Sequence, residues 1–261
     1  MRKWIAAAMI AAAPVHAAAQ VSSPDPSHPT VGDLIVGGSS LRGGGSWRSA
    51  DVIVTHTVPR TVTYLFLYRG TRPEGSGGFA GIAATHDWTR NFFTYTAAGV
   101  SAPRASYLPR IRFDLDLNWK LMPKKQLVAT VGGTSARYAD QRRDDLLSFG
   151  VTYYAPLIAT YRYFRNTSMP GSVLSHAQLL QIAIERRGDL SAYLRHSWGH
   201  EAYLLTTIVA PQNVRLSGHT TTAFVRKWTR ARGGVVAELE YQSKAQDFRR
   251  TGGRVGVFYS F

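Results

Sequence analysis

The chain has no cysteine, so neither a disulfide framework nor a thiolate metal site is open to it. Beyond its first twenty residues it also has no apolar run of about 18 residues, which excludes a bundle of membrane-spanning helices. Acidic residues are scarce, 16 against 31 Lys and Arg, for a formal net charge of +15. The arginines are scattered through alternating segments and loops with no clustered basic run, which argues against nucleic-acid binding. No closely spaced His and carboxylate set recurs on one face, so no metal is expected. Gly43-Gly44-Gly45 lacks the Walker spacing and its lysine, so no nucleotide or other cofactor is expected.

What is present begins with export. Arg2 and Lys3 precede the apolar stretch Trp4 to Ala13 and the small residues Ala17-Ala18-Ala19, the pattern of a secretory signal peptide cut after Ala19. Loss of Arg2 and Lys3 takes the basic count from 31 to 29 against 16 acids, leaving a mature charge of +13. Residues 20–30 read as a short periplasmic lead-in, rich in proline and serine, and 31–261 as one domain. A basic exported protein suits a surface dense in phosphate, so outer-membrane lipids and lipopolysaccharide are expected partners.

From Val31 onward, segments of about ten residues rich in Val, Thr, Tyr, Phe and Leu alternate with clusters of Gly, Pro, Asp and Arg. In the cleanest, Ile111, Phe113, Leu115, Leu117, Trp119 and Leu121 interleave with Arg112, Asp114, Asp116, Asn118 and Lys120. Successive strand side chains point to opposite faces, so one face is apolar and the other polar. In a membrane barrel those faces meet lipid and lumen.

The pattern predicts fourteen strands, near 33–40, 48–58, 61–70, 78–86, 91–102, 110–121, 125–138, 145–155, 157–167, 175–187, 189–204, 216–229, 234–246 and 252–261. Twelve is the fallback. The predicted fold is thus an all-β transmembrane antiparallel barrel with both ends in the periplasm, which requires an even strand number. Tight turns are expected at Pro59-Arg60, Met122 to Lys124, Ala155-Pro156 and Arg187 to Asp189. Longer outer connections are expected at Thr71 to Gly77, Ala102 to Pro109, Ala139 to Asp144, Thr167 to Leu174 and Thr206 to Arg215.

The chain ends with a polar residue, a glycine and two aromatics in register: Arg254, Gly256, Tyr259 and Phe261. This resembles the signal read by the barrel assembly machinery, which is therefore an expected partner. Phe261, Tyr259, Val257 and Val255 share the lipid-facing parity.

Several segments in order resemble the YaiO-type outer-membrane barrels. They are Leu108-Pro109-Arg110, Leu121-Met122-Pro123-Lys124, Arg137-Tyr138-Ala139-Asp140, Gly150-Val151, Tyr161-Arg162-Tyr163 and Gly199 to Tyr203. The resemblance implies a single outer-membrane barrel in a family whose biochemical role is poorly defined. Relatives of this barrel type in exopolysaccharide export are similar but carry a helical repeat domain ahead of the barrel. This chain shows no such segment, so export components would be separate partners.

Candidate lumen residues by alternation are Arg112, Asp114, Asp116, Lys120, Arg162, Arg195, Glu238 and Glu240, with Asn118, Glu185, Arg226 and Lys244 beside them. Such charges can line a wet pore, pair across the lumen and close it, or only keep polar groups away from lipid. For an enzyme, His196 beside Ser197 and His200 beside Glu201 are the pairs to test. Sequence neighbours in a strand point to opposite faces, so neither pair forms a site, and no catalytic residue is expected. The expected function is a passive pore or an accessory or structural envelope protein linked to surface polysaccharide export. The alternatives are a barrel enzyme acting on envelope lipid or glycan and a surface interaction protein.

Overall fold

The structure, a computed structural model, describes residues 29–42, 45–73, 75–102, 107–206, 211–244 and 248–261, and for 201–216 the strand path alone. The expected signal peptide and nearly all of the lead-in lie outside the described residues. The described residues form fourteen strands: β1 (Thr30–Leu41), β2 (Ser46–Val58), β3 (Thr61–Arg72), β4 (Gly75–Asp87), β5 (Phe92–Ser101), β6 (Ile111–Leu121), β7 (Leu127–Arg137), β8 (Arg143–Tyr153), β9 (Ile158–Met169), β10 (Val173–Arg186), β11 (Leu190–Thr206), β12 (Pro211–Arg230), β13 (Gly233–Lys244) and β14 (Phe248–Ser260).

Each strand pairs antiparallel with the next, and β1 pairs with β14 to close the barrel. Closure matters physically, because a sheet with no free edge leaves no unpaired backbone group facing lipid. The first and last strands match Val31 with Ser260 through Leu41 with Arg250, so the start of β1 and the end of β14 lie at one rim, the terminal rim.

Two-fold alternation sets the faces. Ile111, Phe113 and Leu121 are 58%, 49% and 44% exposed, while Asp114 and Asn118 on the other parity are buried. The same contrast holds on β13 and β14, where Val235, Leu239, Val255 and Val257 point out and Val236, Glu238 and Phe258 point in. In water this outer band would be a large exposed apolar surface; in a bilayer it is the surface that meets hydrocarbon.

Turns at the terminal rim fall at Pro59-Arg60, Trp88 to Asn91, Met122 to Gln126, Tyr154 to Leu157, Arg187 to Asp189 and Ala231-Arg232. The turn after β4 is held by the Thr89 hydroxyl, which accepts from the backbone N–H groups of Asn91 (3.2 Å) and Phe92 (3.0 Å).

Connections at the distal rim are shorter than expected. β3 runs to Arg72 and β4 starts at Gly75; β9 runs to Met169 and β10 starts at Val173; β8 starts at Arg143 and β12 at Pro211. Most of Thr71 to Gly77, Thr167 to Leu174 and Thr206 to Arg215 is therefore strand. Ladder hydrogen bonds need no apolar side chain, so pairing continues past the point where alternation fades. In the connection after β5, Tyr107 and Leu108 fold inward and are buried against Tyr68 and Phe79. The Tyr107 hydroxyl donates to the Gly70 carbonyl at 2.9 Å.

Candidate functional site in the lumen

The inward row of β6 is built by its alternation. Arg112 donates from Nε and Nη2 to Asp114 at 2.9–3.1 Å, and Asp114 also accepts from the Thr134 hydroxyl at 2.6 Å. Asp116 is ion-paired with Arg162 of β9, which also donates to the Ser148 hydroxyl at 2.8 Å. Gly132 makes room for this meeting: a Cβ there would stand 1.8 Å from Asp116 Oδ1 and 2.6 Å from Arg162 Nη2. Lys120 reaches Asp87 at 2.7 Å.

A second group lies on β12–β14, β1 and β2. Arg254 grips both carboxylate oxygens of Glu238 at 2.9 Å and reaches Asp51 at 3.2 Å. Glu240 is ion-paired with Arg250, and Arg226 with Asp33 at 2.6 Å. The Arg226 guanidinium also lies 3.8 Å from the Phe258 ring centroid. Arg195 rests on the ring of Tyr193, 5.1 Å from its centroid.

Sequence reasoning thus singled out both members of Arg112–Asp114 and Arg162–Asp116. It missed Asp87, the partner of Lys120, and Arg250, the partner of Glu240. It also missed Asp33 and Asp51, and treated Arg254 only as part of the terminal signal. Asp33 and Asp51 show the inward parity of their strands, which was the available signal.

The bridges between strands join neighbours or strands two or three apart, whereas the opposite wall is seven strands away. They run along the wall rather than across it. Strands about 4.8 Å apart and tilted about 40° give a fourteen-stranded cylinder a backbone radius of roughly 14 Å. Inward acids and bases offset one another, so the positive excess sits on the rims and outer face. There Arg48, Arg69, Arg137, Arg143, Arg165 and Arg249 are exposed at the distal end.

The interior also holds apolar groups that a uniformly polar lumen would not. Val31, Ile35, Val236 and Phe258 are buried together, flanked by Phe224 and Trp228. At the distal rim the Arg72 guanidinium lies 4.2 Å from the Trp47 ring centroid and 4.1 Å from that of Tyr107. On β3, Tyr64, Phe66 and Tyr68 take the inward parity while Leu65 and Leu67 point out, 48% exposed each. Beside the distal rim, burial and the nearby Asp144 push the Tyr138 hydroxyl up to about 12.

A small recess, with room for about two water molecules, opens in the wall between β4 and β9, lined by Phe93, Tyr95, Asp116, Asn118, Thr152 and Arg162 among others. His196 and Trp198 share the outer face and stack at 5.6 Å, and His176, His200 and His219 are exposed there too. Ser197 takes the other parity from His196; the side chain of Glu201 lies outside the described residues. Among the described residues no group of His and carboxylates could hold a metal.

In the terminal signal, Arg254 and Gly256 face inward while Tyr259 and Phe261 face outward, 48% and 62% exposed, their rings 5.2 Å apart. A Cβ at Gly256 would lie 2.4 Å from the Leu34 carbonyl oxygen, so the strand leaves no space for a side chain there.

An even-numbered, closed antiparallel barrel with an apolar outer band and a charged interior is an outer-membrane-type β-barrel. Residues 41–204, more than half of the chain, match the YaiO membrane β-barrel domain, and the chain belongs to that family. All the segments that carry the resemblance in the sequence fall inside this match. No curated protein matches the chain. Among solved structures, the fold is similar to a bacterial polysaccharide outer membrane secretin, at 9% identity and a TM-score of 0.54, covering 90% of this chain and 99% of that one. It is also similar to OpdQ of Pseudomonas aeruginosa, at 9% identity and a TM-score of 0.53, covering 89% and 98%.

Proposed function

We propose that this protein is a passive outer-membrane pore of low charge selectivity, admitting small uncharged polar solutes. The observation that carries the reading is the pairing of lumenal charges along the wall. Arg162–Asp116, Arg226–Asp33 and Arg254 with Glu238 and Asp51 offset their charges locally and leave the barrel axis to water. A wall of balanced charge repels neither ion sign strongly and suits a neutral solute best.

The terminal rim is read as periplasmic, because the start of β1, the end of β14 and the tight turns lie there. The outward arginines of the distal end then meet lipopolysaccharide and the other lipids of the outer leaflet, where cations lie beside phosphate. The barrel assembly machinery is read as the partner that receives β14, with Tyr259 and Phe261 as the recognised aromatics. The role is non-enzymatic. In support, the described histidines lie on the outward parity of their strands, away from the lumenal carboxylates. A link to surface polysaccharide export, through separate export components, is the finer reading. It is supported by family membership and by a fold shared with a polysaccharide secretin.

The test is single-channel conductance of the refolded chain in a planar bilayer, with selectivity read from the reversal potential under a salt gradient. A steady conductance with a small reversal potential is expected. Asp116→Asn, which removes one inward negative charge, should move the reversal potential toward anion preference, and Arg112→Glu or Arg162→Glu toward cation preference. A folded but silent barrel overturns the pore reading.

A further inference from the structure

We infer that the outer face of β9 to β12 is a docking site for the phosphate-bearing headgroup of one lipopolysaccharide molecule of the surrounding leaflet. The inference rests on the reading that the distal rim faces outward, and it holds whether or not the lumen conducts.

Strand register sorts the outward side chains of these four strands into rows. Arg165, His176, His200 and Ser217 pair in turn across β9, β10, β11 and β12 and form one row toward the distal rim. The next row inward from that rim is Tyr163, Gln178, Trp198 and His219, and the third is Tyr161, Leu180, His196 and Thr221. The fourth, Ala159, Ile182, Leu194 and Ala223, has no polar side chain. Four of the six histidines among the described residues thus share one patch, which passes from cationic to apolar along the strands.

Facing hydrocarbon, such a patch would be costly, because each polar group would lose water without gaining a partner. Its polar atoms are nevertheless held in place by bonds between strands. The Tyr163 hydroxyl is hydrogen-bonded to His176 Nδ1 at 2.5 Å, and the Tyr161 hydroxyl donates to Gln178 Oε1 at 2.9 Å. His196 Nδ1 lies 2.9 Å from the Thr221 hydroxyl, and its ring stacks against Trp198 at 5.6 Å and His219 at 5.7 Å. These bonds leave Nε2 of His176 and His196 to a ligand, and Gln178 keeps its amide N–H donors.

Charge and size select the occupant. The three polar rows hold one guanidinium, four imidazoles and no carboxylate, and Arg165 has no ion-pair partner among the described residues. An anion with several acceptor oxygens is matched by this set, whereas a cation finds nothing to pair with. Trp198 offers an aromatic face to a sugar ring, and the fourth row offers an apolar surface to acyl chains. A phosphorylated glycolipid carries phosphate, sugar and acyl chain in that order. Four strands about 4.8 Å apart and three rows about 7 Å apart make a patch of roughly 200 Å². That is a quarter of the roughly 800 Å² that each partner gives to a stable protein interface, so a second copy of this chain fits it less well.

The experiment is native mass spectrometry of the folded full barrel, released from detergent after incubation with bisphosphorylated lipid A, dephosphorylated lipid A or phosphatidylglycerol. One lipid A should be retained, and the other two lipids about tenfold more weakly. Arg165→Gln, and His176→Gln combined with His200→Gln, should each lower lipid A retention about tenfold, the worth of one hydrogen bond to a charged group. Heat-modifiable migration should show both variants folded. Arg69→Gln removes an exposed cation from β3, elsewhere on the distal rim, and should leave retention unchanged. Equal retention in the parent and the patch variants overturns the site, as does equal loss in Arg69→Gln or equal retention of either other lipid. A dimer that the patch variants dissociate assigns the face to a second copy and overturns the lipid. Orientation is read separately with Ser172→Cys, in the distal turn between β9 and β10 of a chain that has no cysteine of its own. Labelling by an impermeant maleimide on intact cells is expected. Labelling only after lysis overturns the outward reading and the site with it, whereas a labelled barrel that retains no lipid A overturns the site alone.

Discussion

Arg162 on β9 and Asp116 on β6 meet across two intervening strands, and they do so over the bare backbone of Gly132 on β7. A bridge that long requires the intervening wall to be low at one point. Gly132→Val should therefore part the pair by driving its side chain between them, with both members left unsubstituted. Asp116→Asn keeps the shape and removes the charge. Both variants should destabilise the refolded barrel in vesicles by on the order of 2 kcal/mol, between the costs of a surface and a fully buried pair, and so lower its urea midpoint. A midpoint unchanged in both would show that the pair adds nothing to stability.

Asp33 and Arg226 join β1 to β12 and so tie the first strand to the closing end of the barrel. Single changes Asp33→Asn and Arg226→Gln should each destabilise, and the double variant should cost less than their sum. A coupling of about 1 kcal/mol or more in the double-mutant cycle, read from urea unfolding, is the expected result for contacting charges. Strict additivity would mean that the two side chains act separately, Arg226 through its contact with Phe258.

Leu239 stands on the outer face of β13, 68% exposed. Leu239→Arg should cost about 2–4 kcal/mol in a lipid bilayer, the midplane value for a basic residue facing hydrocarbon. The same substitution should cost much less at Ser243, near the distal end of the same face. Equal costs at the two sites, measured by folding into vesicles, would place the apolar band elsewhere.

Phe261 and Tyr259 face outward at the end of β14, where they contact little of the barrel itself. Phe261→Ser should reduce the amount of barrel inserted in cells severalfold. The purified chain should refold in detergent nearly as well as the parent, because few internal contacts are lost. A parallel loss in both settings would assign the aromatics to stability rather than to delivery.

The Tyr107 hydroxyl holds the inward connection after β5 to the Gly70 carbonyl, and its ring carries Arg72. Tyr107→Phe should loosen that connection by about 1 kcal/mol, the net worth of one hydrogen bond. In the bilayer it should appear as added open-channel noise with little change in mean conductance. Tyr107→Ala should raise the conductance by widening the distal mouth.

Alternation is a local property, and it was legible wherever a segment kept one face polar. In Ile111 to Leu121 the sequence alone assigns Arg112, Asp114, Asp116 and Lys120 to one face. An apolar outer face, an even strand number and the terminal Tyr259 and Phe261 follow from the same local rule. β3 is the opposite case. Tyr64, Phe66 and Tyr68 alternate with Leu65 and Leu67, both parities are apolar, and no local rule says which row enters the lumen. The distal connections were overestimated for a related reason, since strand pairing extends through polar residues that carry no alternation.

What the sequence by itself determined about this protein is therefore its class and its two faces, because a period of two is written in the order of side chains. Which charges meet, and where a ligand could rest, was decided only by the tertiary structure. Pairing register and barrel closure bring Asp116 to Arg162, Asp33 to Arg226 and Tyr163 to His176. Those relations join residues from 13 to 193 positions apart, a span that no local periodicity encodes.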